Sequence, residues 1–329
     1  MPADRAAVER LAALPRLPFA FAPTPLDAVP RLQDALVRSS PSPLRLLVKR
    51  DDAIPFGFGG NKIRKLQLVA AQAVAEGADT LITTGGIQSN HARATAAIAA
   101  RLGLRCVIVA NGTPPDRVTA NALLNRLLGA EVRYVGSREE RAPAMERVAA
   151  ELRREGRCPF VIPLGASTPL GAAAYALAVT ELLAQVPEPD VILLSTSSGG
   201  TQAGIVAGCR LHGLSTRVIG ISADDPPSVL SREVRRILGG LESLAGCASG
   251  VLTDAAIEID DTFVGDGYGI PTPASIEAIE MCARHEALFL DPTYTAKAMA
   301  GLMARLRSGS LPAGSVIFWH TGGQVGLFA

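Results

Sequence analysis

Short apolar runs alternate with helical segments along most of this chain, and that alternation restricts the possible folds more than any other feature. The runs Leu81-Ile82 and Val107-Ile108-Val109 are apolar at consecutive positions, so both faces of each predicted strand are buried. Between them, the spacing predicts an alanine-rich helix over Asn90–Leu102. Strands covered on both faces and joined by helices are typical of a parallel sheet in an α/β protein.

The alternation occurs twice, on either side of a glycine-containing link at residues 165–171. We therefore predict an α/β fold with two open, twisted, mostly parallel sheets, helices on both faces of each, and an active site in the interdomain cleft. Residues 1–64 and 171–329 are predicted to form a large cofactor-binding domain, and residues 65–170 a small α/β domain. The proline-rich first 45 residues are expected to be extended, with one short helix.

Composition favours small-molecule chemistry. The 329 residues are 48% hydrophobic, their net charge is +1 and their four histidines are scattered, so neither a nucleic-acid surface nor a metal site is predicted. The five cysteines form no Cys-x-x-Cys pair, which favours buried thiols and the cytoplasm. Neither an apolar signal sequence nor a charge-free run of membrane-spanning length is present, so secretion and membrane insertion are not expected.

Lysine is scarce in this chain. Of the 32 basic residues only four are lysines, Lys49, Lys62, Lys65 and Lys297. Lys62 follows Gly59-Gly60-Asn61 at the start of a predicted helix, and a primary amine, unlike a guanidinium, can condense with an aldehyde. Lys62 is therefore the candidate to bind a cofactor covalently, whereas Lys65 is expected to be dispensable for that bond. The alternative is a solvated lysine at a helix start in an arginine-rich chain.

Three loops follow predicted strands and open predicted helices, where bare backbone N–H groups converge on ligands. The segment at residues 84–91 carries Gln88, Ser89, Asn90 and His91 behind two glycines and suits a carboxylate, although Ser89 and Asn90 are also favoured helix N-caps. The segment at residues 195–204, with Ser198, Gly199, Gly200 and Thr201, suits a phosphate monoester, because it lacks the lysine of a Walker loop. The third loop, His320-Thr321-Gly322-Gly323, presents one hydroxyl.

Four of these motifs occur in the same order in one enzyme family. Lys-Arg-Asp-Asp at 49–52, Gly-Gly-Asn-Lys-Ile-Arg-Lys-Leu at 59–66, Gln-Ser-Asn-His at 88–91 and the glycine-rich 198–204 resemble the D-cysteine desulfhydrase and 1-aminocyclopropane-1-carboxylate (ACC) deaminase family. The resemblance covers the whole chain. It implies the tryptophan-synthase-β-like fold of type II pyridoxal-phosphate enzymes, pyridoxal 5'-phosphate as cofactor, a small amino-acid substrate and a homodimer.

The resemblance also implies a role for individual residues. The implied catalytic residues are Lys62, Ser89, Tyr268 and Tyr294. The implied cofactor contacts are Lys62, Asn90, Ser198, Gly199, Gly200, Thr201 and Thr321. The implied substrate contacts are Gln88, Ser89, Asn90 and His91. No metal ligand is implied.

The substrate stays open between three family reactions: β-elimination from D-cysteine, ring opening of ACC, and release of sulfite from L-cysteate. ACC deaminases carry a glutamate at the position of Thr295, so the resemblance favours the desulfhydrases, in which a threonine hydroxyl meets the ring nitrogen. The apolar segment at residues 54–58 is unusual for the family and leaves the substrate side chain undecided. From a different class, a non-catalytic ligand-binding α/β protein is the remaining alternative.

Overall fold

The computed structural model describes residues 3–19, 23–37 and 44–329. Its strands are β1 Leu26–Ala28, β2 Leu44–Arg50, β3 Thr80–Gly86, β4 Arg105–Asn111, β5 Glu131–Val135, β6 Pro159–Val161, β7 Val191–Thr196, β8 Arg217–Ser222, β9 Glu258–Asp260 and β10 Gly314–His320. Its helices are α1 Arg5–Ala12, α2 Pro30–Val37, α3 Asn61–Ala75, α4 Asn90–Leu102, α5 Ala120–Leu127, α6 Arg141–Arg154, α7 Pro169–Leu183, α8 Gly200–Leu211, α9 Pro227–Ala245, α10 Pro273–Glu286 and α11 Thr295–Ser308.

The strands form two sheets. A six-stranded sheet has the order β1-β2-β10-β7-β8-β9, and a four-stranded sheet has the order β5-β4-β3-β6. Every pairing is parallel except that of β1 with β2. The prediction of two mostly parallel sheets is confirmed. The strands of the smaller sheet all come from within residues 65–170, while the exact domain boundaries stay a prediction.

Both faces of the larger sheet are buried, because its central strand β7 is apolar at four consecutive positions, residues 191–194. On β7, Ile192 and Leu194 join a core formed with α7, α8 and α9, whereas Val191 and Leu193 join a second core formed with α10 and α11. The smaller sheet is covered in the same way, by α3 and α4 on one face and α6 on the other. Because helices cover both faces of each sheet, the carboxyl ends of the strands are left open to a ligand.

The structure differs from the sequence-based expectation at three places. The N-terminal region contains two helices, α1 and α2, rather than one; residues 1, 2, 20–22 and 38–43 of that prediction lie outside the described residues. Strand β9 was missed because Glu258-Ile259-Asp260 has only one apolar residue. Helix α9, which the spacing predicts only near residues 228–238, continues to Ala245 through Gly239-Gly240. A side chain at Gly240 would overlap the ring of Pro169, so glycine permits the close packing of the extended helix.

Within the described ranges, no helix combines the length and apolar character needed to cross a membrane. The same part of the chain contains no group of three or more His, Cys, Asp or Glu side chains placed to hold a metal ion.

Candidate active site

A cavity lies where the carboxyl ends of the two sheets face each other, with about 180 Å³ of space for solvent. Its walls come from the ends of β3, β4, β7 and β10, which supply Gly86, Asn111, Thr196 and Thr321, and from the loop after β8, which supplies Asp224. In open parallel sheets this is the position at which ligands bind. The predicted cleft site and this cavity coincide.

Lys62 enters the cavity from the first turn of α3, behind a turn that only glycine can form. Gly59 and Gly60 have φ values of 66° and 95°, in the left-handed region. A Cβ on Gly59 would lie 2.6 Å from the carbonyl oxygen of Asp52, and a Cβ on Gly60 would lie 3.0 Å from that of Thr321. The backbone N–H of Asn61 also donates to Thr321 O at 2.9 Å. The turn therefore fixes Lys62 against the third predicted loop.

Lys62 differs from the other three lysines in having no hydrogen-bond partner for Nζ among the residues the structure describes. Lys49 Nζ pairs with Glu181, Lys65 Nζ donates to Ser167 Oγ at 3.1 Å, and Lys297 Nζ donates to Val264 O at 2.7 Å. Burial lowers the pKa of Lys62 to about 8. A lowered pKa makes the neutral amine, which is the nucleophilic form, available above about pH 8 rather than above its usual 10.5.

The predicted phosphate cradle forms the N-terminus of α8. Gly199 is its N-cap with φ 73°, and Ser198, Gly199 and Thr201 line the cavity. Asn61 Nδ2 donates to Thr201 Oγ1 at 3.0 Å, so the cradle is fastened to the turn that carries Lys62. Free backbone N–H groups and the positive end of the helix dipole favour an anion here.

Two residues beside the cradle were not recognised from the sequence as part of it. A Cβ on Gly200 would lie 2.7 Å from Ser167 Oγ and 2.8 Å from Lys65 Nζ. Ser167 Oγ also hydrogen-bonds Ser198 Oγ at 2.7 Å. Burial, and then the charge of Lys62, hold the pKa of Lys65 well below its usual value. Lys65, expected to be dispensable for the covalent bond, thus lies against the anion site.

Ser89, Asn90 and His91 line the cavity at the start of α4. Ser89 Oγ accepts from the backbone N–H of Ala92 at 3.2 Å, as an N-cap does, and its own O–H remains free to donate. His91 is fully buried; its Nε2 contacts Thr83 Oγ1 at 2.7 Å, and because that hydroxyl donates to Ile162 O, Nε2 carries the proton. Burial, and then nearby Lys62 and Lys65, lower the pKa of His91 well below its usual value, so the ring is neutral.

Gln88 is not brought into the cavity. Its Oε1 accepts from the backbone N–H of Asn121 at 2.9 Å and its Nε2 donates to Thr119 O at 3.3 Å, so its amide supports the start of α5. The polar loop therefore supports two helix starts, α4 with Ser89 and α5 with Gln88, and the Gln88 amide does not line the cavity. The predicted role of Gln88 in binding substrate is therefore not supported by its position.

Asn90 is held by a buried chain of polar side chains that the sequence did not reveal. Asn121 Nδ2 donates to Asn90 Oδ1 at 2.8 Å, and Arg93 Nε donates to Asn121 Oδ1 at 3.3 Å. Arg93 Nη1 in turn donates to Gly59 O at 3.2 Å, in the turn before Lys62. With its oxygen occupied, the Asn90 amide presents its N–H groups as donors to the cavity.

Tyr268 and Tyr294 meet across the cavity. Their hydroxyls hydrogen-bond each other, and the rings pack edge to face with centroids 5.8 Å apart. Burial raises the pKa of both phenols, that of Tyr294 well above its usual value. Both side chains are therefore neutral, and the pair can hold or pass a proton.

The two threonine hydroxyls that were expected near a ring nitrogen lie in different surroundings in the structure. Thr321 Oγ1 hydrogen-bonds Ser195 Oγ at 3.1 Å, and both residues line the cavity. Thr295 lies outside it, because its hydroxyl donates to Asp291 Oδ1 at 2.7 Å in the buried start of α11. The apolar segment 54–58 also lies away from the cavity, with Phe56 stacked on Phe19 at 4.8 Å between centroids.

Comparisons with known proteins show the family to which this chain belongs. A family model described as pyridoxal-phosphate dependent enzyme matches residues 17–322. The chain is 36% identical to proteins named D-cysteine desulfhydrase from Salmonella choleraesuis (strain SC-B67) and Salmonella typhimurium, with 98% of this chain and 98% of each relative covered. A solved ACC deaminase homologue is 32% identical with a TM-score of 0.89, covering 98% of this chain and 96% of that chain. Maize serine racemase, 19% identical with a TM-score of 0.66 over 98% of this chain and 95% of that chain, shares the fold.

Proposed function

We propose, since the chain belongs to the family of pyridoxal-phosphate-dependent enzymes, that it catalyses β-elimination from a small amino acid, with D-cysteine as substrate. In this reaction the Cα–H and Cβ–S bonds break, and the electron pair of the Cβ–S bond leaves with sulfur. One water is consumed, and the products are pyruvate, hydrogen sulfide and ammonium. The free amine of Lys62, facing a cavity that carries an anion cradle, is the observation on which this proposal rests.

The cavity fits pyridoxal phosphate. Thr196 lines it with a buried hydroxyl that has no hydrogen-bond partner among the described residues, and the amine of Lys62 is equally free. The N-terminus of α8, with Ser198 to Thr201 and Lys65 behind it, suits the phosphate. When bound, the cofactor supplies an aldehyde that links to an amine and a ring that stabilises negative charge at the substrate α-carbon.

Lys62 has two tasks in this proposal. Its amine would hold the cofactor covalently, and in its neutral form it would remove the proton from the substrate α-carbon. A pKa of about 8 suits both tasks near neutral pH. Asn90, aligned by Asn121, would help hold the cofactor through its N–H groups.

Other residues of the cavity wall bind the substrate and protonate the sulfur that leaves it. The O–H of Ser89 and the backbone N–H groups at the start of α4 bind the α-carboxylate, with the neutral His91 as a wall rather than a charged partner. The paired hydroxyls of Tyr268 and Tyr294 supply the proton that the departing sulfur needs.

Neutral hydroxyls at the ring nitrogen favour elimination over ring opening of ACC. Thr321 and Ser195 are hydrogen-bonded to each other, and no carboxylate shares that contact among the described residues. A ring nitrogen held by these hydroxyls and by no carboxylate would stay unprotonated, which would make the ring a weaker electron acceptor. Ring opening of ACC, which has no α-hydrogen, is therefore expected to be very slow.

A product assay tests the proposal. Holoenzyme is given D- and L-cysteine, β-chloroalanine, D-serine and ACC, and pyruvate, sulfide and 2-oxobutyrate are measured. We expect pyruvate from D-cysteine and β-chloroalanine and little 2-oxobutyrate from ACC. Equal specificity constants for D-cysteine and ACC would move the chain to the deaminase reaction. A colourless protein that takes up no added pyridoxal phosphate would leave only a ligand-binding role.

We also propose a cytoplasmic location, a homodimer and two domains. The five cysteines are all free thiols, which suits the reducing cytoplasm. The family resemblance leads us to expect a homodimer, and light scattering of the purified holoenzyme tests it. Residues 1–64 with 171–329, and residues 65–170, are the proposed domains.

A further inference from the structure

Lys297, in the first turn of α11, is a fully buried lysine without a part in the reaction proposed above. It is not among the residues that line the active-site cavity. Its Nζ donates to Val264 O at 2.7 Å and to Gly267 O at 2.8 Å. Both acceptors are backbone carbonyls of the loop between β9 and α10, residues 261–272. Lys297 therefore contacts this loop rather than a ligand.

The loop between β9 and α10 presents Tyr268 to the cavity. Tyr268 lies between Gly267 and Gly269, whose φ values of 140° and 77° are in the left-handed region. A glycine at such a position allows the backbone more conformations than any other residue would. The two hydrogen bonds from Lys297 end on Gly267, directly before Tyr268, and on Val264. They therefore fix the backbone that carries the Tyr268 ring.

The helix that carries Lys297 also places the second tyrosine of the pair. Tyr294 lies directly before α11, and its backbone N–H donates to Asp291 Oδ2 at 2.9 Å. The hydroxyls of Tyr294 and Tyr268 hydrogen-bond each other. Because Lys297 joins the Tyr268 loop to the helix turn that follows Tyr294, one helix start sets the position of both phenols.

Neither helix stability nor an ion pair explains a lysine at this position. A cation in the first turn of a helix opposes the helix dipole. Burial lowers the pKa of Lys297, and the charges of Asp224 and Asp291 only partly oppose this effect. Asp224 forms its ion pair with Arg138, and Asp291 accepts from backbone N–H groups at the start of α11. The hydrogen bonds that stabilise the Lys297 amine are therefore those to the two loop carbonyls.

We propose that Lys297 is a positioning residue that holds the Tyr268 loop so that the hydroxyls of Tyr268 and Tyr294 deliver a proton to the leaving group. The inference rests on the β-elimination proposed above. In that step the Cβ–S bond breaks, its electron pair stays on sulfur, and the proton moves from the phenol pair to sulfur. Water then returns a proton to the phenol pair. Lys297 itself touches neither substrate nor cofactor.

The leaving group separates this positioning role from a purely structural one. Chloride leaves β-chloroalanine without taking a proton, whereas the sulfur of D-cysteine needs one. A misplaced phenol pair should therefore slow the reaction of D-cysteine and spare that of β-chloroalanine. A loss of folded protein would slow both reactions by the same factor.

The test compares Lys297→Met, Tyr268→Phe and the double variant. The matched control is Arg307→Gln, which changes an exposed cation on the same helix that pairs with Glu277. For each holoenzyme, kcat and KM are measured with D-cysteine and with the D-enantiomer of β-chloroalanine. Deuterium exchange of the backbone in residues 261–272 is measured by mass spectrometry, which does not depend on turnover.

We expect Lys297→Met to lower kcat for D-cysteine by roughly 10- to 100-fold with little change in KM, because a displaced proton donor loses much of its effect. For β-chloroalanine, kcat should stay within about threefold of the parent value, since no proton donor is needed there. The double variant should be no slower than Tyr268→Phe, because Lys297 acts through Tyr268. Residues 261–272 should exchange faster in Lys297→Met but not in Arg307→Gln.

The inference is overturned if Lys297→Met behaves as the parent protein, or if it slows both substrates by the same factor. It is also overturned if the effects of Lys297→Met and Tyr268→Phe multiply in the double variant, or if Tyr268→Phe itself slows both substrates equally.

Failure of the proposed function looks different, because neither substrate then gives pyruvate with the parent protein. Deuterium exchange still decides the role of Lys297 in that case. Faster exchange confined to residues 261–272 in Lys297→Met supports its hold on the loop, and unchanged exchange overturns it.

Discussion

Helix α3 carries two kinds of buried cation that differ in what neutralises them. Arg64 is surrounded by carboxylates: its Nε donates to Asp51 Oδ1 at 2.8 Å and its Nη1 to Glu181 Oε2 at 2.8 Å. Lys62 and Lys65, on the same helix, have no carboxylate partner among the described residues. One helix therefore carries a compensated cluster, in which the carboxylates of Asp51 and Glu181 neutralise Arg64. It also carries two uncompensated amines, which no carboxylate neutralises.

The pKa shifts reflect this difference. Burial alone would raise the pKa of Glu181, but the hydrogen bonds from Arg64 and Lys49 lower it to about 2. Its contribution to stability is therefore complete at neutral pH and is lost as the pH falls from about 4.5 towards 2. The pKa values of Lys62 and Lys65 are lowered by burial instead. On α3, the compensated Arg64 belongs to the fold, and we propose that the uncompensated amines of Lys62 and Lys65 face an anionic ligand.

The largest expected effect is at Lys62. Lys62→Ala should lower turnover of D-cysteine by roughly 10²- to 10⁴-fold or more, because covalent anchor and base are lost together. Lys62→Arg keeps the charge but cannot form the covalent bond, and should be equally inactive. Pyruvate formation and the visible absorbance of the bound cofactor measure both variants. Substantial turnover in Lys62→Arg would mean that charge alone is needed.

Asp51→Asn should act on the compensated cluster and on stability only. Arg64 would keep a partner in Glu181, but the buried charge balance, and the acceptor for Tyr175 and Trp319, would change. We expect the free energy of unfolding to fall by about 3–5 kcal/mol, the usual result of breaking a buried pair. Urea unfolding measures this change, with Asp116→Asn, an exposed site, as control. A loss below about 1 kcal/mol would show that the cluster does not act as a buried pair.

Gly200→Asp should affect the anion site beside the uncompensated amine of Lys65. The new carboxylate would lie beside Lys65 and Ser167 and occupy the anion site with a charge of the same sign as the phosphate. We expect cofactor affinity to fall by roughly two orders of magnitude, because the new carboxylate would repel the phosphate and take its place beside Lys65. Fluorescence titration with pyridoxal phosphate measures it, and Gly239→Asp, within α9 and away from the cavity, is the control. Unchanged affinity would exclude the α8 cradle.

Lys65→Met should have the smallest effect on cofactor affinity. Its effect on stability should differ most clearly from that of Asp51→Asn. Removing an uncompensated buried amine should leave the apoprotein as stable as before or more stable, whereas Asp51→Asn is destabilising. Cofactor affinity should nevertheless fall by roughly tenfold, because a charged hydrogen bond to the phosphate is lost. Parallel unfolding and titration experiments give both values. An apoprotein clearly destabilised by Lys65→Met would place Lys65 among the structural cations.

The sequence predicted those parts of the site that follow strand ends. The loops after β3, β7 and β10 were recognised because glycine and small polar residues that follow an apolar run are typical of a ligand-binding loop. A parallel sheet then brings the strand ends, and so these loops, together. The motif Lys-Arg-Asp-Asp was also visible, but its contacts show that Lys49 and Asp51 belong to the buried cluster.

Other parts of the site have no local signal. Asn121, Ser167 and Arg141 reach the cavity, or residues beside it, through packing between elements distant in sequence. The position of Gln88 has no local signal either: its loop is polar enough for a ligand, yet the start of α5 lies within reach of its amide. Only the arrangement of helices decides between these partners.

The most direct test of the central claim is to identify the lysine that holds the cofactor. Holoenzyme is reduced with borohydride, which makes the covalent bond permanent, and its peptides are analysed by mass spectrometry. The difference between the lysines of α3 and the compensated cluster predicts a pyridoxyl group on Lys62 alone, with Lys49, Lys65 and Lys297 unmodified. A modified Lys65, or a fully active holoenzyme with no modified lysine, would contradict the account.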